Sequence, residues 1–267
     1  MNNTVAALVD IVQNKEIAPN IYHMKIKALD IAKKAVPGQF LHIRCGKTLS
    51  PLLRRPISIA DIDEKTGCVE IIYRVVGEGT RLLSQTLTGH KLDVIGPLGN
   101  GFPLPEKDAP CIIVAGGIGT APIIYLAKKI ASESKNKNSI TTVLGFTTKS
   151  EVFGEEYLKF PGVETIIATD DGSYGYKGFP TDILKRLLQE HMGKTNPIIY
   201  SCGPKPMLIK VKEIAASKNI RAYLSLEEHM ACGVGACLGC SVKSSGKVYK
   251  KVCKNGPVFE AGEVELC

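Results

Sequence analysis

CIIVAGGIGTAPIIYLAKKIASES, residues 111–134, decides how the chain folds. Cys111 to Ala115 is an apolar run with the length and the lack of alternation of a strand buried on both faces. A glycine turn follows, and then apolar spacing with later lysines that predicts a helix. Strand, turn and helix in that order form the repeating unit of a parallel α/β sheet. The unit recurs downstream, with buried strands expected at 140–146, 165–168 and 198–201 and helices at 181–191 and 204–218.

Upstream of the turn-rich GPLGNGFPLPEKDAP, residues 96–110, the pattern is different. Short segments at 5–9, 21–26, 39–45, 57–60, 69–76 and 91–94 alternate with turn residues, without a long helix between them. Such spacing predicts a small antiparallel barrel. Past a last strand expected at 221–226, the composition shifts to EEHMACGVGACLGCSV, residues 227–242. This tail is too short for a large core and is expected to be held by metal. The chain therefore divides into a β-barrel domain at 1–103, a parallel-sheet α/β domain at 104–220 and a small cluster-binding domain at 221–267.

With 267 residues, 44% of them hydrophobic and 22% charged, the composition is that of folded globular proteins and excludes disorder and collagen-like repetition. The net charge of +8 is spread without a dense basic block, there is no Trp, and aromatics make up only 6%, which speaks against a nucleic-acid binder. The amino-terminal residues carry no cationic start and meet Asp10 early, unlike an export signal. Residues 109–127 are uncharged, but Pro110, Gly116, Gly117, Gly119 and Pro122 interrupt them as a strand, turn and helix start would. A cytoplasmic protein is expected.

Four of the nine cysteines, Cys232, Cys237, Cys240 and Cys253, fall in the spacing C-x4-C-x2-C-x12-C. A reducing compartment favours metal or redox roles for clustered thiols, and this spacing is that of plant-type [2Fe-2S] proteins. Structural zinc also takes four cysteines, although its ribbons usually show two C-x2-C pairs and only one is present here. No His has ligand-like spacing with the four, which leaves no Rieske centre. Lys243, Lys247, Lys250, Lys251 and Lys254 surround the last ligand and either attract an acidic partner or form a solvated hairpin. Cys45, Cys68, Cys111 and Cys267 read as structural.

Three further motifs bear on ligands. GGIGTAP, 116–122, offers bare backbone and a helix start to a pyrophosphate, or is only a turn. LLRRPISIAD, 52–61, followed by VGEGTRLLSQ, 76–85, supplies Arg54, Arg55, Ser58 and an amide-rich helix start at 81–87 to a second phosphate-bearing ligand, unless the arginines only pair with carboxylates. Cys202 in SCGPKPM sits at a strand end, either facing a reactive ring or buried and inert. A nucleotide that gives hydride and a cluster that takes single electrons need a flavin between them.

The order R-P-x-S at 55–58, G-x-G-T at 77–80, G-G-x-G-x-x-P at 116–122 and C-G-P at 202–204 resembles the ferredoxin-reductase superfamily. The tail, with VCKNGPVF at 252–259, is similar to that of the electron-transfer subunits of type B dihydroorotate dehydrogenase, and the likeness runs over essentially the whole chain. The resemblance implies FAD held by Arg55, Pro56, Ile57, Ser58, Ile72, Tyr73 and Arg74, with Gly79 and Thr80 on its pyrophosphate. It implies NAD along Gly116, Gly117, Gly119 and Thr120, with Cys202 and Gly203 near the nicotinamide. It further implies a [2Fe-2S] cluster on the four cysteines and a partner, the FMN-containing catalytic subunit, in a heterotetramer of two chains of each kind serving pyrimidine biosynthesis. No residue of this chain is expected to act as acid or base on the pyrimidine. NAD is expected over NADP, because TTKSEVFGEEY at 147–157 lacks an arginine for a 2′-phosphate. The same residues also suit a reductase subunit serving ferredoxin or a sulfur acceptor, and a zinc-stapled scaffold remains the non-enzymatic reading.

Overall fold

The structure, a computed structural model, describes residues 4–46, 50–106, 109–133, 140–190, 196–246 and 248–266. Its first segment holds β1 (Val5–Ala18), β2 (Ile21–Lys27), α1 (Leu29–Ala32), β3 (Phe40–Ile43), β4 (Arg55–Asp63), β5 (Cys68–Arg74), α2 (Glu78–Ser84) and β6 (Lys91–Leu98). Residues two apart share a face of a strand, so Met24 and Ile26, Leu41 and Ile43, and Val69, Ile71 and Tyr73 all turn inward and are buried. That shared core closes an antiparallel barrel in the order β1-β2-β5-β4-β3-β6.

β1, β4 and β6 run longer than expected for local reasons, whereas β3 and β5 stop short of residues 45 and 76. β1 continues past residue 9 to Ala18 through register shifts between Ile11 and Gln13 and between Glu16 and Ala18, and such bulges erase the alternation that marks a strand. Pro56 lies in β4 and Pro97 in β6, where proline masks a strand to sequence reading. Helix α2 begins at Glu78, ahead of the expected start at 81, because the Thr80 hydroxyl accepts the amides of Val76 and Gly77 at 3.0 and 3.3 Å.

The second segment contains β7 (Cys111–Gly116), α3 (Thr120–Glu133), β8 (Ile140–Phe146), β9 (Val163–Thr169), β10 (Tyr176–Lys177), α4 (Pro180–Glu190), β11 (Ile198–Cys202), α5 (Lys205–Ser217) and β12 (Ala222–Ser225). Cys111, Ile113 and Ala115 of β7 pack with α3, while Ile112 and Val114 pack with α4 and α5 on the opposite face. Both faces of the sheet are thereby covered, as an uninterrupted apolar strand requires.

The last segment adds β13 (Ser241–Lys243), β14 (Tyr249–Lys251), α6 (Val252–Asn255) and β15 (Val258–Glu260). β13 and β14 form a hairpin, but β15 returns to the large sheet and pairs antiparallel with β12, Leu224 facing Phe259. The sheet order is β10-β9-β8-β7-β11-β12-β15, six strands parallel and the seventh antiparallel. β12, counted with the tail in the sequence reading, pairs with β11 in this sheet.

Barrel and sheet meet along α3 and the linker. The Tyr125 hydroxyl donates to the Ala35 carbonyl at 2.9 Å, Tyr200 donates to the Pro103 carbonyl at 2.9 Å, and Lys128 pairs with Asp61. Among the described residues no helix is long and apolar enough to cross a membrane.

Candidate functional site

A cavity of about 500 Å³ opens where all three segments meet. β4 contributes Arg55, Pro56, Ile57 and Ser58, β5 contributes Ile72, Tyr73 and Arg74, and α2 contributes Thr80. The two adjacent arginines have different tasks. Arg54 is tied to Asp93 at 2.7 Å, the structural role, whereas Arg55 has no carboxylate partner among the described residues and donates to the Leu53 carbonyl at 2.6 Å. Gly79 does not line the cavity but supports Arg55: a Cβ there would lie 2.7 Å from its Nε. An unpaired guanidinium above an amide-rich turn suits a phosphate.

A second cavity of about 450 Å³ lies at the carboxyl ends of the parallel strands, where open α/β sheets bind ligands. Gly116 and Gly117 line it, joined by Phe146 at the end of β8 and Thr147 after it, Asp170 after β9, and Pro204 and Met207 at the start of α5. Gly119, Thr120, Cys202 and Gly203 line neither cavity. A Cβ on Gly119 would fall 2.4 Å from the Cys202 carbonyl oxygen, so this glycine lets the turn lie against the end of β11. Burial pushes the Cys202 thiol pKa far up, Glu227 adds to the shift, and Ser225 opposes it. Such a thiol is protonated.

Arg74 lines both cavities and reaches Glu151 at 3.4 Å. The glycine turn is a second shared wall, with Gly116 and Gly117 on one side and Ile118 on the other.

The far side of the barrel cavity is closed by residues 225–230, which lead directly into the cysteine loop. Gly233 at φ +69° and Gly235 at φ +83° turn the backbone so that amides face the sulfurs. Cys232 Sγ accepts from Val234, Ala236 and Cys237 at 3.5, 3.3 and 3.4 Å, Cys253 Sγ from Gly235 at 3.1 Å, and Cys240 Sγ from Cys253 at 3.4 Å. Burial alone would raise the Cys232 pKa, but these amides outweigh it and bring the thiol to about 6. Burial and the neighbouring Cys240 thiol push Cys253 up to about 12. Cys232 lies near Cys237, and Cys253 lies near both Cys240 and Cys232. Among the described residues no three His, Cys, Asp or Glu side chains converge as ligands of one ion would. Four neighbouring thiols in the plant-type spacing, with backbone amides donating to the sulfurs, fit a two-iron cluster.

The lysines near the last ligand are largely committed. Lys243 pairs with Glu265 at 2.7 Å, Lys250 pairs with Glu263, and Lys251 donates to the Gly235 carbonyl at 2.9 Å. Lys254 packs on Gly235, and Lys247 lies outside the described residues. The hairpin reading accounts for Lys243 and Lys250, and the loop itself uses Lys251. Of the remaining cysteines, Cys45 and Cys111 are buried, Cys68 is half-buried and Cys267 lies outside the described residues.

Sequence reading missed Glu227, His229 and Met230 in the barrel cavity, and Phe146 and Asp170 in the other. The strand-end rule would have found the last two. Glu227 faces the open cavity yet is ringed by protein, which raises its carboxyl pKa.

Comparison with known proteins bears directly on these cavities. Residues 227–265 match the iron-sulfur cluster binding domain of dihydroorotate dehydrogenase B, and residues 113–213 match an oxidoreductase NAD-binding domain. A dihydroorotate dehydrogenase B (NAD(+)) electron transfer subunit from Geobacillus thermodenitrificans is 46% identical over 261 residues, covering 96% of this chain and 97% of that protein. This chain belongs to that family. The Desulforamulus reducens electron transfer subunit is 42% identical over 93% of this chain and 94% of its own length. A solved NADH-dependent reduced ferredoxin-NADP oxidoreductase, studied for flavin-based electron bifurcation, superimposes with a TM-score of 0.85 at 31% identity, over 97% of this chain and 90% of that one. Ferredoxin-NADP+ reductase from Plasmodium falciparum shares the fold, with a TM-score of 0.66 at 16% identity over 79% and 91% of the two chains. This chain thus carries an oxidoreductase NAD-binding domain followed by an iron-sulfur cluster binding domain, on a fold shared with a ferredoxin-NADP oxidoreductase.

Proposed function

We propose that this chain relays electrons between NAD and the FMN of a separate dihydroorotate dehydrogenase catalytic subunit. FAD would occupy the barrel cavity, NAD the cavity at the strand ends, and a [2Fe-2S] cluster the four cysteines. The observation that carries this reading is their contiguity: Arg74 and the glycine turn separate the first two by one wall, and residues 225–230 separate the barrel cavity from Cys232. When bound, the flavin supplies the exchange of one hydride for two single electrons.

The chain's own groups do the binding and positioning. Arg55 offers its guanidinium to a flavin phosphate, and Ile72, Tyr73 and Met230 give the cavity apolar walls that exclude water. Glu151 holds Arg74 at the shared wall. Asp170 sets a carboxylate at the end of β9, which favours a ribose 2′-hydroxyl over a 2′-phosphate and so NAD over NADP. Gly119, Thr120, Cys202 and Gly203 shape the turn from behind rather than touching nucleotide. Val234 and Leu238, exposed at 51% and 60% beside the cysteines, give the loop an apolar rim that suits a partner.

On this reading the pyrimidine chemistry belongs to the catalytic subunit, two copies of each chain assemble in the cytoplasm, and the domains are 1–103, 104–220 and 221–267. Identities of 42–46% to electron transfer subunits, against 31% to the ferredoxin-NADP oxidoreductase, favour it over the ferredoxin reading. The test is an absorption spectrum with flavin, iron, sulfide and zinc analysis on anaerobically reconstituted protein, then orotate reduction by NADH after mixing with a catalytic subunit. Flavin, two irons and accelerated reduction are expected. A colourless zinc protein, or a mixture no faster than the catalytic subunit alone, overturns the proposal.

A further inference from the structure

Strand β3 sends Leu41 and Ile43 into the barrel core and Phe40 and His42 outward. Phe40 lines the barrel cavity. His42, two residues on, is 1% exposed, and neither Nδ1 nor Nε2 has a hydrogen-bond partner among the described residues. Buried polar groups are almost always satisfied, and one that is not calls for a ligand or a redox role.

The ring lies against the cysteine loop. A Cβ placed on Gly233 would stand 2.5 Å from His42 Nδ1 and 3.0 Å from Cε1, so the bare glycine after the first ligand is what admits the imidazole. An imidazole has at least one ring N–H to donate in either protonation state.

We infer that His42 is a positioning residue for the cluster, seating the Cys232–Gly233 backbone against the barrel and providing a hydrogen-bond donor to the cluster's sulfur shell. The inference rests on the proposed cluster at the four cysteines. Its physical basis is twofold. Hydrogen bonds toward cluster sulfurs are among the levers that set a cluster's potential. A donor on the strand that also carries Phe40 ties the cluster seat to the flavin seat through one rigid element.

The experiment compares the full chain with His42→Phe, which keeps a planar ring without hydrogen bonds, and His42→Gln, which keeps a donor. Iron, sulfide and flavin content are measured first, then the cluster's midpoint by redox titration monitored by electron paramagnetic resonance. H42F should retain flavin and iron and shift the cluster's one-electron equilibrium toward the oxidised form by about tenfold, which is 59 mV for one electron. H42Q should recover much of that shift. Unchanged potential and g values in H42F overturn the inference. Should H42F load no iron, H42Q decides: incorporation at the parental potential supports the role, and failure to incorporate overturns it. Absence of iron from the parental protein overturns the cluster reading itself, a result distinct from either.

Discussion

The barrel cavity is walled by side chains that the fold buries anyway, such as Ile72 and Tyr73, whereas the cysteine loop from 232 to 240 has no regular element and leaves Val234, Cys237 and Leu238 in solvent. One site is formed by packing before any ligand arrives. The other is held by five amide-to-sulfur contacts and the Lys251 reach to Gly235, with Val234 and Leu238 at its tip exposed. The two should therefore fail differently. A defect in the loop is a defect in metal loading, and a defect in the cavity is a defect in affinity.

The sharpest break is Cys240→Ser. Iron content and electron delivery to the catalytic subunit should fall to background, while flavin content and NADH-driven reduction of a small soluble dye persist. Loss of flavin together with iron would show that the two sites are not independent. Next in size is Gly79→Ala. Its φ is ordinary, so the fold should hold, but the new Cβ meets the Arg55 guanidinium at 2.7 Å and displaces it. Losing a charged contact of about 1.5–3 kcal/mol should weaken FAD binding roughly tenfold or more, read by fluorescence titration of apoprotein, with iron content unchanged.

A smaller change is expected from Asp170→Ser, which removes a carboxylate without touching barrel or loop. The ratio of kcat/KM for NADPH to that for NADH should rise about tenfold. An unchanged ratio would move the 2′-position recognition elsewhere in the cavity. The smallest effect concerns the barrel's acid limit. Burial would raise Glu70, but the His23 ring 2.7 Å away and Lys25 at 2.8 Å outweigh it and hold the carboxyl near 2 instead of 4.5. A depressed carboxylate contributes stability that is fully present above pH 4.5 and lost as pH falls through 2. Glu70→Gln should thus flatten the fall in melting temperature across that interval, and an identical slope would remove Glu70 as its cause.

Much of this was legible in the chain because local and global signals agree. The strand, glycine turn and helix of residues 111–134 could be read from apolar runs, and the helix is seen at Thr120–Glu133. Eight of the nine residues assigned to the flavin face one cavity, and Gly79 supports Arg55 from outside it. Of the residues assigned to the nucleotide, Gly116 and Gly117 line the strand-end cavity, whereas Gly119, Thr120, Cys202 and Gly203 line neither cavity. A motif marks where backbone must be bare, and at Gly119 the close approach of the Cys202 carbonyl requires it. Met230 was missed because it reaches its cavity from the loop after β12, information held by topology rather than spacing. His42 escaped notice in the same way, since nothing beside it in the chain hints at Gly233.

Strand β15 closes the open side of β12, and the residues that follow the cysteine loop are thereby part of the large sheet. Cutting the chain ahead of the cysteines would bare a row of unpaired amides and carbonyls along β12, an invitation to edge-to-edge aggregation. The tail is consequently no detachable plug-in, and grafting it onto another reductase would mean transplanting a sheet margin along with the four thiols.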